Sequence, residues 1–199
     1  MDCSELLGHL ARKDRIPANR FVLTFDESYA NFKSALPVLQ KFGFKAVLFA
    51  VAGRAGEKAD WTSLDRFPTL TLSEIRNLPP GTVEVGSHSF SHRSLPELKE
   101  EGLTQEICGS RKLLESELKV PVVAFAYPFG KHDSRTQQLV AEDYRLAFGT
   151  RFGLVSAKSS RFDLERVDVN TLRDPLAFRS FFANYRGFCL FRRCWELFD

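Results

Sequence analysis

This chain of 199 residues lacks several features that mark particular classes of protein. No apolar stretch approaches the length of a membrane span. The four cysteines are scattered and form no C-x-x-C pair, which favours reduced structural thiols over a disulfide framework. The first residues include acids and no sustained apolar core, unlike a signal peptide. Together these absences predict a cytoplasmic protein without a transmembrane segment.

A large excess of charge is also missing. The net charge is +3, and residues 1–150 carry 19 basic and 19 acidic side chains, so the whole excess lies in residues 151–199. A patch of that size, without an aromatic and basic recognition motif, predicts no binding to nucleic acid. The hydrophobic content of 44% is ordinary for a soluble globular protein.

The chain has four histidines, and two of them stand in a pattern typical of a metal site. His88 and His92 are four residues apart, which would place both imidazoles on one side of a helical turn. Asp26 and Glu27 follow the β-branched and aromatic run 21–25, which predicts a strand that ends in two carboxylates. Two imidazoles, a carboxylate and open positions suit a catalytic divalent metal. The alternative is a strand-end acid with two unconnected surface histidines.

Short apolar runs alternate with helical patterns along the chain, which predicts a parallel α/β sheet or barrel. In such folds the loops after the carboxyl ends of the strands build the site. Asp26, His88 and Tyr127 each follow a predicted strand. The predicted strands are 21–25, 46–51, 83–87, 122–126, 146–149 and 166–170, and the predicted helices are 35–42, 73–77, 104–118 and 134–142.

Three short segments carry the most specific signal in the chain. They are residues 24–26 (Thr-Phe-Asp), residues 86–92 (Gly-Ser-His-Ser-Phe-Ser-His) and residues 125–130 (Phe-Ala-Tyr-Pro-Phe-Gly). In this order and spacing they resemble the polysaccharide deacetylase family, carbohydrate esterases similar to chitooligosaccharide deacetylases. The resemblance runs from about residue 21 to about residue 170. It implies a distorted parallel (β/α) barrel, and we expect residues 1–199 to form a single domain.

The resemblance also implies an activity and a cofactor. The family hydrolyses N-acetyl groups of amino sugars with a divalent metal, usually zinc. Carried over to this chain, Asp26 is the general base, and His88 and His92 are metal ligands. The family continues its first motif with Asp-Gly, where this chain has Glu27 and Ser28. Glu27 is therefore the expected third ligand, although its extra methylene displaces the carboxylate.

Two further catalytic roles come from the resemblance. The family stabilises the oxyanion with a backbone N–H at the Tyr of its third motif, here Tyr127. It protonates the leaving amine with a His of a late Leu-x-His motif, but no histidine follows His132 in this chain. His132 is therefore the remaining candidate for the general acid. The alternatives are that His132 is a solvated loop residue and that the proton returns through Asp26.

Two regions outside these motifs leave alternatives open. Trp61 belongs to a loop of mixed polarity and either stacks on a sugar ring or covers the barrel core. Residues 174–175 (Asp-Pro) form a good helix start, and a helix over about 174–198 is expected to close the barrel. Because its last turns are aromatic and basic, weak contact with a membrane surface or a protein is the alternative.

The sequence therefore predicts a metal-dependent hydrolase that removes N-acyl groups from an amino sugar or a polysaccharide precursor. Glu27, Ser28 and the absence of a late histidine favour a second hypothesis, a non-catalytic descendant that binds a saccharide or a partner protein. A third hypothesis is a metal-free hydrolase of small, ureide-type amides.

Overall fold

A computed structural model describes residues 1–17, 20–61 and 67–183. Within these ranges, six parallel strands pair in chain order into one sheet that curls into a half-barrel. The strands are β1 (Leu23–Phe25), β2 (Ala46–Ala50), β3 (Val83–Ser87), β4 (Ala124–Ala126), β5 (Leu146–Phe152) and β6 (Leu164–Arg166). The helices are α1 (Cys3–Arg12), α2 (Leu36–Phe42), α3 (Leu72–Arg76), α4 (Glu100–Thr104), α5 (Ser110–Leu118), α6 (Ser134–Asp143) and α7 (Pro175–Ala183).

The sheet separates two groups of buried side chains. Because successive strand residues point to opposite faces, β2 contributes to both groups. Val47 and Phe49 face the barrel interior with Leu146 of β5. Leu48 faces the surrounding helices with Phe125 of β4. Burial on both faces explains why the sequence of β2 is continuously apolar rather than alternating.

Helix α1, which was not predicted from the sequence, packs against the interior group. Its buried residues Cys3, Leu6 and Leu10 contact the inward side chains of β2, β4, β5 and β6. A capping box between Asp2 and Glu5 begins the helix. Since Asp2 also pairs with a lysine directly before β2, α1 lies at the amino-terminal ends of the strands. The carboxyl ends remain available for a site.

Several predicted boundaries change in the structure. The last strand was predicted over 166–170 and lies at Leu164–Arg166, because Asp168 caps a 3₁₀ turn over Val169–Leu172. The predicted helix 104–118 begins earlier, with α4, and contains a π-helical turn over Gln105–Gly109. The other predicted strands and helices are confirmed within a few residues.

Helix α7 begins where the sequence predicted, and the rest of the predicted helix to residue 198 lies outside the described residues. No residue of α7 is buried, and Phe182 contacts Phe21 with a ring-centroid distance of 6.4 Å. Its role in closing the barrel therefore stays a prediction. Among the described helices, none has the length and apolar character needed to span a membrane. The two described cysteines, Cys3 and Cys108, are both free.

Candidate metal centre and catalytic residues

The loops after β1 and β3 bring together the three predicted metal ligands. One ligand atom from each of Glu27, His88 and His92 lies within 4.8 Å of the others. The Nε2 atom of His92 is 3.2 Å from Nε2 of His88 and 3.5 Å from Oε1 of Glu27. Both histidines are almost completely buried, and the Glu27 side chain is partly exposed. The site thus has a buried nitrogen side and an oxygen side that reaches solvent.

The surroundings of His88 set the imidazole in the form that binds a metal. Its Nδ1 lies 2.8 Å from the carbonyl oxygen of Ala126. A carbonyl can only accept, so Nδ1 carries the proton and the lone pair of Nε2 points toward His92. Burial lowers the pKa of His88, against the opposing effect of the Asp26 charge. The ring is therefore held neutral at ordinary pH.

Two of the three separations between ligand atoms fit a tetrahedral ion. Zinc binds imidazole nitrogen at about 2.0–2.1 Å, so two ligand atoms on one tetrahedral ion lie about 3.3 Å apart. The separations of 3.2 and 3.5 Å match that spacing. Three protein ligands of this kind leave a fourth position for water or substrate, as catalytic zinc sites do. The donor set of Glu27, His88 and His92 is therefore compatible with the metal that the sequence predicts.

The histidines converge through a strained loop and not through a helical turn, so that part of the sequence interpretation is wrong. Ser89 and His92 have φ angles of 67° and 61°, in the left-handed region. The N–H groups of Ala52 and Gly53, after β2, donate to the carbonyls of Ser89 and Phe90 at 3.0 and 2.8 Å. Gly53 is required there, because a Cβ at this position would lie 2.2 Å from the Phe90 ring.

Asp26 is held from the opposite edge of the sheet. Its two carboxylate oxygens accept hydrogen bonds of 2.8 and 2.9 Å from Arg166 of β6. Burial acts to raise the pKa of Asp26, whereas the Arg166 charge and hydrogen bonds act to lower it, and the resulting pKa lies below its usual range. Since the guanidinium is always charged, the carboxylate stays ionised at neutral pH. It has the charge state that a general base needs.

Tyr127 and His132 contact each other and form a second group. The Tyr127 ring is fully buried, and its hydroxyl donates to the Phe162 carbonyl at 2.9 Å. Its backbone N–H, the predicted oxyanion donor, already donates to the Phe148 carbonyl at 3.1 Å. The His132 ring packs on Tyr127 at 4.5 Å. Its Nε2 lies 3.3 Å from Asp163, and its Nδ1 lies 3.1 Å from a side-chain amide nitrogen.

Comparison with known proteins decides the family. The family model described as polysaccharide deacetylase matches residues 13–147. This chain belongs to the polysaccharide deacetylase family. YxkH of Bacillus subtilis (strain 168), which is named provisionally as a polysaccharide deacetylase, is 25% identical over 177 residues. The match covers 87% of this chain and 60% of YxkH, so the chain spans less than two thirds of that relative.

Solved structures confirm the barrel of this deacetylase-family chain. The Streptococcus pyogenes deacetylase PplD, solved in complex with acetate, is 26% identical with a TM-score of 0.73, and the match covers 84% of this chain and 72% of PplD. IcaB from Ammonifex degensii is 20% identical with a TM-score of 0.72 and coverage of 86% and 77%. The second likeness concerns the fold alone.

Aromatic rings border the histidine pair of this deacetylase-family site. Trp61 stacks on His92 with a centroid distance of 4.8 Å and an interplanar angle of 28°. The Arg54 guanidinium lies 5.4 Å from the Trp61 ring centre. Phe129 meets His92 edge-on at 4.7 Å and is 49% exposed. Trp61 is thus a wall of the site rather than a cover of the barrel core, and Phe129 is the ring with the most accessible surface.

Two residues of the site were missed by the sequence interpretation. Arg166 was predicted only as the start of a strand. Glu106 was treated as a helix residue, although it is 4% exposed and contacts the loop that carries the histidines. The local sequence of neither residue indicates this role, because adjacent helix residues such as Glu106 and Ile107 do not ordinarily share a face, and Arg166 stands 140 positions from Asp26.

Proposed function

We propose that this chain is a metal-dependent hydrolase that removes N-acetyl groups from an amino sugar or a polysaccharide precursor. The observation that carries the proposal is the convergence of one ligand atom each from Glu27, His88 and His92 within 4.8 Å of one another, beside Asp26, whose pKa is lowered. Family membership and the likeness to PplD, a deacetylase that was solved with acetate, support the same reaction class.

We propose zinc as the ion, held by Glu27, His88 and His92. When bound, such an ion supplies Lewis acidity toward a water molecule and an amide carbonyl. The chain contributes the arrangement of the ligands. The Ala126 carbonyl orients His88, and the stacked Trp61 ring limits the rotation of His92. In other zinc sites, contacts between a ligand side chain and its protein neighbours tune the affinity for the metal.

Asp26 takes the proton of the attacking water in this proposal. An ionised carboxylate that two hydrogen bonds fix in place is already oriented for that transfer. The N–H of Tyr127 remains the proposed donor to the oxyanion. That role requires the hydrogen bond to the Phe148 carbonyl to be shared or released during the reaction.

The leaving amine must receive a proton, and two donors are available. Asp26 carries one after the first step and can return it without any rearrangement. His132, the donor predicted from the sequence, has Asp163 at one ring nitrogen and Gln137 at the other. It would have to exchange one of these contacts to reach substrate. We therefore favour return of the proton through Asp26.

The remaining predictions concern the protein's setting. A single domain over residues 1–199, a cytoplasmic location and weak contact through the C-terminal helix stay predictions. The second function, saccharide binding without catalysis, is favoured by the replacement of the family's Asp-Gly by Glu27 and Ser28. The retained ligand geometry favours catalysis instead.

Metal analysis combined with an acetate-release assay tests the proposal. The purified chain should contain or take up one divalent ion and release acetate from N-acetylglucosamine oligomers. Asp26→Asn should keep the metal and remove turnover. The proposal fails if the protein takes up no zinc, cobalt or nickel. Saccharide binding without acetate release in the metal-loaded protein would support the non-catalytic function, and acetate release or ureide hydrolysis by metal-free protein would support the third hypothesis.

A further inference from the structure

Glu106 is a buried carboxylate that the proposed mechanism does not use. It lies in the π-helical turn Gln105–Gly109 between α4 and α5, and only 4% of its surface is exposed. Burying a carboxylate is costly unless it is well hydrogen-bonded. The role of Glu106 therefore depends on the groups that donate hydrogen bonds to its carboxylate.

The partners of Glu106 all belong to the loop between the two histidines. Its Oε2 accepts from the backbone N–H of Phe90 at 3.0 Å and from that of Ser91 at 2.8 Å. Its Oε1 accepts a short hydrogen bond from the Ser91 hydroxyl. Hydrogen bonds to a carboxylate are stronger than those between neutral groups. The carboxylate thus binds the loop at three points.

This loop needs such a restraint. Ser89 and His92 both adopt left-handed backbone conformations, which are unfavourable for residues with a side chain. The same loop sets Nε2 of His92 at 3.2 Å from Nε2 of His88. If the loop relaxed toward ordinary backbone angles, His92 would move away from this position.

The π-helical turn explains how the carboxylate reaches the loop. A π turn inserts one extra residue into a helix and shifts the direction of the side chains that follow. Here the adjacent residues Glu106 and Ile107 are both buried. Ile107 packs in the core between sheet and helices, while Glu106 extends to the loop.

We infer that Glu106 is a positioning residue. It fixes residues 89–92 in their strained conformation and so sets the geometry of the metal ligands. The inference rests on the proposed metal site for its functional meaning. Its structural content, that Glu106 restrains residues 89–92, stands independently of any metal.

Glu106→Gln is the first test, because it keeps the shape but removes the negative charge toward which two N–H groups and one hydroxyl are directed, and its NH₂ group fits only if the hydrogen bond with the Ser91 hydroxyl is reversed. We expect the affinity for cobalt, measured by competition titration, to fall by about 10–100-fold. The ligand-field spectrum of the cobalt form should change as well. Glu115→Gln is the matched control, because Glu115 on α5 also accepts from a backbone N–H, that of Val122 at 2.9 Å. It should leave cobalt binding unchanged.

Amide hydrogen exchange of the metal-free protein provides a second readout. Exchange at Phe90 and Ser91 should accelerate in Glu106→Gln and not in Glu115→Gln. If Glu106→Gln does not fold, Ser91→Ala removes one of the three contacts and should give a smaller change of the same sign. Unchanged exchange at both positions would overturn the inference. A wild-type protein that binds no metal would overturn the proposed function, while the exchange measurement would still decide the role of Glu106.

Discussion

Arg166 of β6 binds Asp26 after β1 through two hydrogen bonds of 2.8 and 2.9 Å. These two strands are the edges of the sheet and do not pair with each other. A third hydrogen bond, from Arg166 Nε to the Gly149 carbonyl at 2.7 Å, holds the guanidinium in place. Arg166 therefore orients the proposed base, Asp26, across the gap between the two edge strands of the half-barrel. A planar guanidinium suits this task because it presents two parallel donors.

The first prediction concerns this pair. Arg166→Met should lower kcat/KM by about 10²-fold, the scale expected when a catalytic group is misplaced by about an ångström. Arg166→Lys should lower kcat/KM less, because lysine keeps the positive charge but cannot bind both carboxylate oxygens in the fixed geometry of a guanidinium. Metal content should stay at the wild-type level in both. The control is Arg76→Met, which removes an exposed arginine paired with Glu117 far from the site. Wild-type kinetics in Arg166→Met would contradict the orienting role.

The second prediction concerns the ligands. His88→Ala and His92→Ala should each abolish metal binding, because two ligands cannot hold a catalytic ion tightly. Glu27→Asp should retain or strengthen binding, since it restores the residue that the family uses at this position. Metal stoichiometry after dialysis against trace zinc measures all three. Loss of metal in Asp26→Asn instead would make Asp26 a ligand and reverse the assignment of the two acids.

The third prediction concerns the stability of the turn after β1. Ser28 has a φ angle of 50°, is fully buried, and its hydroxyl has no hydrogen-bond partner in the described part of the chain. Ser28→Gly should raise the free energy of unfolding by about 1–2 kcal/mol, because glycine adopts the left-handed region without a Cβ clash. Urea denaturation measures the change. Ser28→Ala removes the hydroxyl but keeps the backbone strain, so it should stabilise less. Equal values for the two variants would mean that the hydroxyl, not the backbone, is the cause.

The features that could be predicted from the sequence are those that involve residues close together in the chain. Strand β3 was predicted at its observed bounds, Val83–Ser87, and His88 and His92 were predicted to converge, although through a helical turn where the structure has a loop. Helix α1 was not predicted, although the residues of its capping box, Asp2 and Glu5, have the sequence spacing that such a box requires.

The residues that support the site could not be predicted in the same way. Asp26 and Arg166 are 140 positions apart, and Glu106 contacts Ser91 across 15 positions through a π turn. Pairings of this kind depend on how the sheet curls and where a helix changes its pitch. Neither property leaves a periodic pattern in the residues themselves. The groups that carry the proposed chemistry were therefore visible in the sequence, and the groups that orient them were not.

The fourth prediction concerns the proton donor. If Asp26 returns the proton to the leaving amine, His132→Ala should lower kcat by less than the ~10²–10⁴-fold expected for loss of a general acid. The His132 ring also packs on Tyr127 at 4.5 Å, so a modest loss of thermal stability is expected from the missing contact. His132→Gln is the matched variant, because it retains a polar side chain of similar reach near Asp163 without a titratable ring. A fall of ~10²–10⁴-fold in both variants, with the alkaline limb of the pH–rate profile removed, would instead assign the acid role to His132. Wild-type-like rates in both variants would leave Asp26 as the group that both accepts and returns the proton.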